Sequence, residues 1–112
     1  MIKINIKPLS VNKAWKGRRQ KSHYYKQFES DMLLMLPKKH VIPEGELWIV
    51  IEYGFSSRAS DLDNPTKMVL DILSKKYDFN DNRIYYLTLR KEIVKKGQEY
   101  VKFKINKKPL VW

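Results

Sequence analysis

The run Glu46 to Phe55, ELWIVIEYGF, constrains this chain more than any other stretch. Nearly every position in it is β-branched, aromatic or otherwise apolar, the composition of a strand buried within a sheet. Leu47, Ile49, Ile51 and Tyr53 alternate onto one face. Trp48 and Val50 make the other face apolar too, which predicts a central strand covered on both sides. The connection PKKHVIPEG precedes it and the SSRAS turn follows it. A chain of 112 residues has room for one core,.

Ile2, Ile4 and Ile6 alternate with Lys3, Asn5 and Lys7, the period of two of a half-buried strand, which Pro8 and Ser10 end. The segment Val11 to Lys21, VNKAWKGRRQK, is too polar and irregular for a regular element and reads as a loop that a ligand can order. Ser22 is placed to cap a helix from about His23 to Leu36, stopped by Pro37. Its apolar stripe is Tyr25, Phe28, Met32 and Met35 with Leu36. A second helix is expected from about Pro65 to Lys76, capped by Asn64, with proline at the first position, where its missing N–H costs nothing. Met68, Val69, Ile72 and Leu73 form its buried stripe; Lys67, Asp71 and Ser74 occupy a polar side. After a loop around Tyr77 to Asn82 come two alternating strands, Arg83 to Val94 and Gln98 to Asn106, read as a hairpin through the KKG turn. In the last strand Val101, Phe103 and Ile105 face inward. The order is β-α-β-α-β-β. That makes residues 1–112 a small single α/β (α+β) domain with a mixed sheet and two helices.

Charge narrows the partner. The formal net charge is +11, and the cations are segregated. Lys3, Lys7, Lys13, Lys16, Arg18, Arg19, Lys21 and Lys26 precede the first acid, and eight more cations lie between Arg90 and Lys108 against Glu92 and Glu99. Such clustering points to nucleic acid beyond mere solubility. With no cysteine, disulfides and thiolate metal sites are excluded,. No apolar run reaches the length of a membrane span, and the alternating MIKINIKPLS lacks a signal-peptide core. The expected location is cytoplasmic, with no membrane partner.

Against this basic background, Asp61, Asp63, Asp71, Asp78 and Asp81 are five of only six aspartates and fall within Arg58 to Arg83. Ionised carboxylates that converge repel one another unless a cation lies between them. Asp61 and Asp63, two apart in an extended segment, would project to the same side. Asp81 precedes a strand that can pair with Glu46–Phe55 and so return to the same place. Together the three form an oxygen-rich set suited to Mg²⁺ or Mn²⁺. Lys67 lies about one helical turn beyond Asp63, where its ammonium can hold a phosphate or pair with Asp71. Singly, Asp63 can be a helix-dipole acid, and Asp78 and Asp81 can be turn formers. An EF-hand starting at Asp61 fails, because Thr66 and Ile72 stand where its glycine and glutamate belong. His23 and His40 are not placed to act as general bases.

The pattern D-x-D-N-x-x-K, an aspartate four residues after the lysine, and N-D-N-R-I before a strand resemble the RusA-like Holliday junction resolvases. The opening P-L-S-V-N-K-A-W-K-G-R-R is also similar to that family's. The resemblance implies a homodimeric, Mg²⁺-dependent endonuclease, with Mn²⁺ able to substitute, acting on four-way DNA junctions in recombination and repair. Asp61, Asp63 and Asp81 match the metal-binding carboxylates, and Lys67 the catalytic or phosphate-contacting lysine. Metal ions there would activate water and clamp phosphate oxygens. Two departures stand out: Asn80 replaces an acid common before Asp81, and Ser60 a basic residue common before Asp61, with Arg58 two positions earlier. The expected DNA contacts are Asn12, Lys13, Lys16, Arg18, Arg19, Lys21 and Lys67, with Trp15 stacking or packing. The competing readings are a nucleic-acid-binding module without catalysis, whose acids merely cap and turn, and a broader nuclease of flaps and other branched DNA.

Overall fold

The computed structural model describes residues 1–10, 15–16 and 20–109. In chain order the elements are β1 (Ile2–Ile4), β2 (Trp15–Lys16), β3 (Gln20–Lys21), α1 (His23–Met35), β4 (Leu47–Phe55), α2 (Thr66–Tyr77), a 3₁₀ turn over Asp81–Arg83, β5 (Ile84–Ile93) and β6 (Tyr100–Lys107). The main sheet is mixed, in the order β1-β6-β4-β5, and β2 and β3 pair as a separate short ribbon. The α+β domain with two helices is thus the architecture found. The segment expected to be a plain loop contains that ribbon, with Trp15 opposite Lys21 and Lys16 opposite Gln20.

β4 lies inside the sheet, antiparallel to β6 and parallel to β5. Leu47, Ile49, Ile51 and Tyr53 are completely buried. They meet Phe28 and Met32 from α1, Leu36 just after it, Val69, Ile72 and Leu73 from α2, and Val101, Phe103 and Ile105 from β6 in one core. Each large side chain withdrawn from water contributes on the order of 1.5–3 kcal/mol, an upper figure because denatured chains already bury some surface.

Coverage on both faces of β4 was expected, and the structure corrects this. Both helices contribute to the core on the Leu47–Tyr53 side, while Trp48 and Val50 opposite are only half-buried. Trp48 satisfies its indole N–H on the Thr88 hydroxyl at 2.9 Å. Along this face the register aligns Glu52 with Lys102 on β6 and Arg90 on β5, so the neighbours are polar. An apolar composition read along one strand cannot reveal polar cross-strand partners.

The expected hairpin of the last two strands is also corrected. β5 and β6 flank β4 on opposite sides and do not pair with each other. α2 connects β4 to β5 as a crossover, which makes that pair parallel. The Val94 N–H bonds the Phe55 carbonyl at 2.8 Å, and the chain then turns at Gly97, whose φ of +93° suits glycine,. The returning strand takes the other side of β4 and is largely buried, leaving β5, which has no fully buried position, at the edge.

Helix boundaries follow local chemistry. The Ser22 hydroxyl accepts a bond from the Tyr25 N–H at 3.3 Å, so Ser22 caps α1 as expected. Leu36 is the residue after the helix, and Met35 is 45% exposed, off the buried stripe. α2 begins one residue later than expected, with Pro65 in the flanking position and no side-chain cap from it. It ends at Asp78, whose φ of 52° is the left-handed conformation that closes a helix,.

A buried polar group is organised on the outer sheet face. The Tyr100 hydroxyl donates to Glu52 at 2.6 Å, and Lys102 and Arg90 lie 3.4 and 3.6 Å from the same carboxylate. The hydrogen bond from Tyr100 is the largest influence holding the Glu52 carboxyl below its usual range, and the two cations add to it. Gly54 makes this possible, because a Cβ there would collide with the Tyr100 ring. Gly54→Ala should therefore cost about 1–3 kcal/mol in urea unfolding, the scale of overpacking a filled site. Because the folded Glu52 carboxyl sits below its ordinary 4.5, its stabilisation is present above that value and is lost as pH falls through the folded one. Thermal melts below pH 4.5 should show a loss that Glu52→Gln lacks.

Candidate functional site

Asp61 does not lie in an extended segment. The Asn64 N–H bonds the Asp61 carbonyl at 3.3 Å and the Thr66 N–H bonds the Asp63 carbonyl at 3.1 Å, so two successive turns carry the chain into α2. Alternation of side chains is therefore not what relates Asp61 to Asp63. Both are exposed, and neither carboxylate has an ion-pair partner among the described residues.

Two anchors hold this segment. The Tyr53 hydroxyl, from the buried face of β4, shares a 2.8 Å hydrogen bond with the Thr66 hydroxyl at the first residue of α2. Both groups are buried, and burial pushes the Tyr53 hydroxyl's pKa up. From the edge strand, Lys91 donates to the Ser60 carbonyl at 2.9 Å and the Arg58 carbonyl at 3.4 Å. Arg58 thus contributes its backbone oxygen to this contact. Neither anchor was anticipated. Lys91 had left a trace in the sequence, since it falls in register with Leu87, Leu89 and Ile93 opposite the core positions of β4.

Lys67 projects from the polar side of the first turn of α2 and lies 3.1 Å from Asp71 and 3.6 Å from Asp81. Its hydrogen bond to Asp71 is the largest cause raising its pKa, with Asp81 adding to the effect. The expected Lys67–Asp71 pair is present, and Asp81 joins it. Asp81 is carried by the 3₁₀ turn, which is fixed at both ends. The Asn80 side chain accepts from the Asn82 N–H at 3.0 Å. The Arg83 guanidinium donates to the Gly45 carbonyl at 3.0 Å and also to that of Pro43. Asn80 is therefore the capping residue of the turn, a role that an amide or a carboxylate oxygen can fill equally.

The parallel pairing of β4 and β5 decides where the acids stand. Leu47, the first residue of β4, is aligned with Ile84, just after Asp81. Asp61 and Asp63 instead follow the far end of β4, and Lys67 reaches across toward Asp81. The structure brings Lys67, Asp71 and Asp81 together. It does not bring Asp61, Asp63 and Asp81 together: no group of three or more acids or histidines among the described residues lies close enough to hold a metal ion.

Of the expected DNA contacts, Asn12, Lys13, Arg18 and Arg19 lie outside the described residues, and Lys16 and Trp15 are described only through their backbone in β2. Lys21, in β3, pairs with Glu29 at 3.1 Å and lies over the Tyr25 ring at 4.7 Å. His23 stacks on Tyr24, while His40 lies edge-on to Tyr77 and Phe103. Neither faces the acids as a base would. No helix is long and apolar enough to cross a membrane among the described residues.

A cavity of about 530 Å³ opens beside Asp61, between the segment after β1, the start of α1 and the end of β4. No family model matches the chain, and no curated protein matches it.

Proposed function

We propose that the protein is an Mg²⁺-dependent, structure-selective endodeoxyribonuclease that resolves four-way DNA junctions by paired nicks in recombination and repair, working as a homodimer inside the cell. The observation that carries this reading is the bracketing of Lys67 by Asp71 and Asp81 at 3.1 and 3.6 Å, one turn from Asp63. It unites the lysine of the D-x-D-N-x-x-K pattern with the aspartate four residues after it and with the aspartate of N-D-N-R-I, and no helix cap or turn requires such a pairing. The two-fold symmetry of a dimer matches a junction whose opposed strands are both to be cut.

The donor chemistry fits a hard divalent ion. Asp61, Asp63 and Asp81 offer carboxylate oxygens, all three are exposed, and an ammonium already serves as counter-charge to one of them,. The three are not gathered into one cluster in the structure; on this reading they would close on the ion as substrate binds, and it would supply Lewis-acid polarisation of a phosphate oxygen and an acidified water. Lys67 neutralises charge that develops on the phosphorus oxygens during in-line displacement. Asp71, within hydrogen-bond distance, keeps that ammonium protonated and directed. Lys91 and the Tyr53–Thr66 bond hold the segment carrying Asp61 and Asp63, so that substrate binding does not have to order it,.

Asp63→Asn should still bind a four-way junction but lose at least about a hundredfold in cleavage, and EDTA should abolish cleavage by the wild type. Undiminished cutting by Asp63→Asn would sink the assignment, and equal cutting of flaps, linear duplex and junctions would replace it with a broader nuclease. Binding with no cleavage under any metal would favour the non-catalytic module. Replacing Arg18 and Arg19 together by alanine should weaken junction binding and reduce the slope of log K against log salt by about one to two units. Unchanged affinity and slope would place the DNA on another surface.

A further inference from the structure

The cavity beside Asp61 combines features that phosphodiester hydrolysis alone does not call for. Its lining includes Tyr24, half exposed, and the edge of the largely buried Phe55. It also includes Glu99, only 8% exposed although it is a carboxylate. Lys7 stands at the rim, and Ser60 leads into Asp61. The volume of about 530 Å³ lies within the range of about 300–1,000 Å³ typical of sites for small organic ligands,.

Glu99 is built into its position. It accepts a 2.9 Å bond from the Ser56 hydroxyl and a 2.8 Å bond from the Gly97 N–H. Bonds from its own backbone N–H and from Ser56 are the chief causes holding its carboxyl below the usual range, with Lys7 adding to them. An ionised carboxylate has about four lone-pair positions, so these donors do not exhaust it. A nearly buried, ionised acceptor facing a cavity selects for a ligand that brings N–H donors. The aromatic wall selects for a flat ring, and the Lys7 ammonium for an anion attached to it.

We infer that this cavity receives one unpaired nucleotide of the DNA next to the strand to be cut, with its base against Tyr24 and Phe55, an exocyclic amino group on Glu99 and its phosphate toward Lys7. Thymine, which has no exocyclic amino group, is disfavoured. The placement beside Asp61 gives the inference its meaning under the nuclease reading, because a base withdrawn there fixes the neighbouring phosphate. A base leaves its stack most readily where pairing is already broken, as at a branch point.

The test is a titration of the wild-type protein, without added metal, with AMP, CMP, GMP and dTMP, followed through backbone amide NMR shifts. Shifts should concentrate at Tyr24, Phe55, Ser60 and Glu99, with dTMP bound roughly fivefold more weakly, the low end of base-discriminating contacts. Glu99→Gln should erase that preference. Tyr24→Ala should weaken all four nucleotides, and Lys7→Ala should weaken AMP but not adenosine, so the inference stands or falls even if the Glu99 variant fails to fold. No shifts at these amides with nucleotide on the order of 10 mM, or equal binding of dTMP, would overturn it. Junction cleavage that depends on Asp63 but comes without nucleotide shifts would refute the pocket and leave the nuclease. Nucleotide binding in a protein that cuts no DNA would do the reverse.

Discussion

The burial of β4 is the constraint from which the rest of the structure follows. Four of its side chains on one face are inaccessible to water, and the two long helices supply the apolar stripes that cover them. With helices on that side, the strand can be hydrogen-bonded on both edges only by neighbours in the same sheet. β6 and β5 take those places. The connection from β4 to β5 must then pass through α2, and this forces their parallel alignment. Position of the acids is a consequence of that alignment. The turn bearing Asp61 and Asp63 follows β4, and Asp81 precedes β5, where Lys67 meets it.

How a molecule this small manages its polar groups follows the same geometry. Glu52 interrupts the apolar run of β4, and burying a carboxylate alone would be costly. The register brings Tyr100, Lys102 and Arg90 to it, and glycine at position 54 leaves space for the tyrosine ring. Tyr53, on the opposite face, sends its hydroxyl to Thr66 and so ties the core to the start of α2. One strand therefore sets both the outer polar cluster and the position of the helix that carries Lys67.

What could be read in advance was what depends on local pattern. The Ser22 cap, the inward set Val101, Phe103 and Ile105, the stripe of α2 and the Lys67–Asp71 pair are decided within a few residues, and all appear in the structure. What depends on pairing could not be read. The KKG turn looks like a hairpin because two alternating strands flank it, but nothing in those residues says that β4 lies between the strands. The same ignorance of register hid the polar partners of the outer face. Lys91 shows the limit most clearly: a lysine in an apolar register was visible, whereas its two carbonyl acceptors at Arg58 and Ser60 belong to a distant turn.

Lys67 gives the acidic segment its electrostatic logic. Its ammonium is 70% exposed, so its pairs with Asp71 and Asp81 are worth on the order of 0.2–1 kcal/mol each,. Contacts that weak do not lock the side chains in place; they occupy Asp81 with a cation that is easily exchanged. On the nuclease reading this is the useful state for a site that must take up both a divalent ion and a phosphodiester. Asp81 would be available to hold the ion, and the Lys67 ammonium, now paired with it at 3.6 Å, would be free to meet the phosphate. A tighter, buried pair would have cost several kcal/mol to open. The exposure of these residues thus favours a site assembled with its substrate, whereas the segment's backbone, held from β4 by Tyr53 and from β5 by Lys91, is in place beforehand.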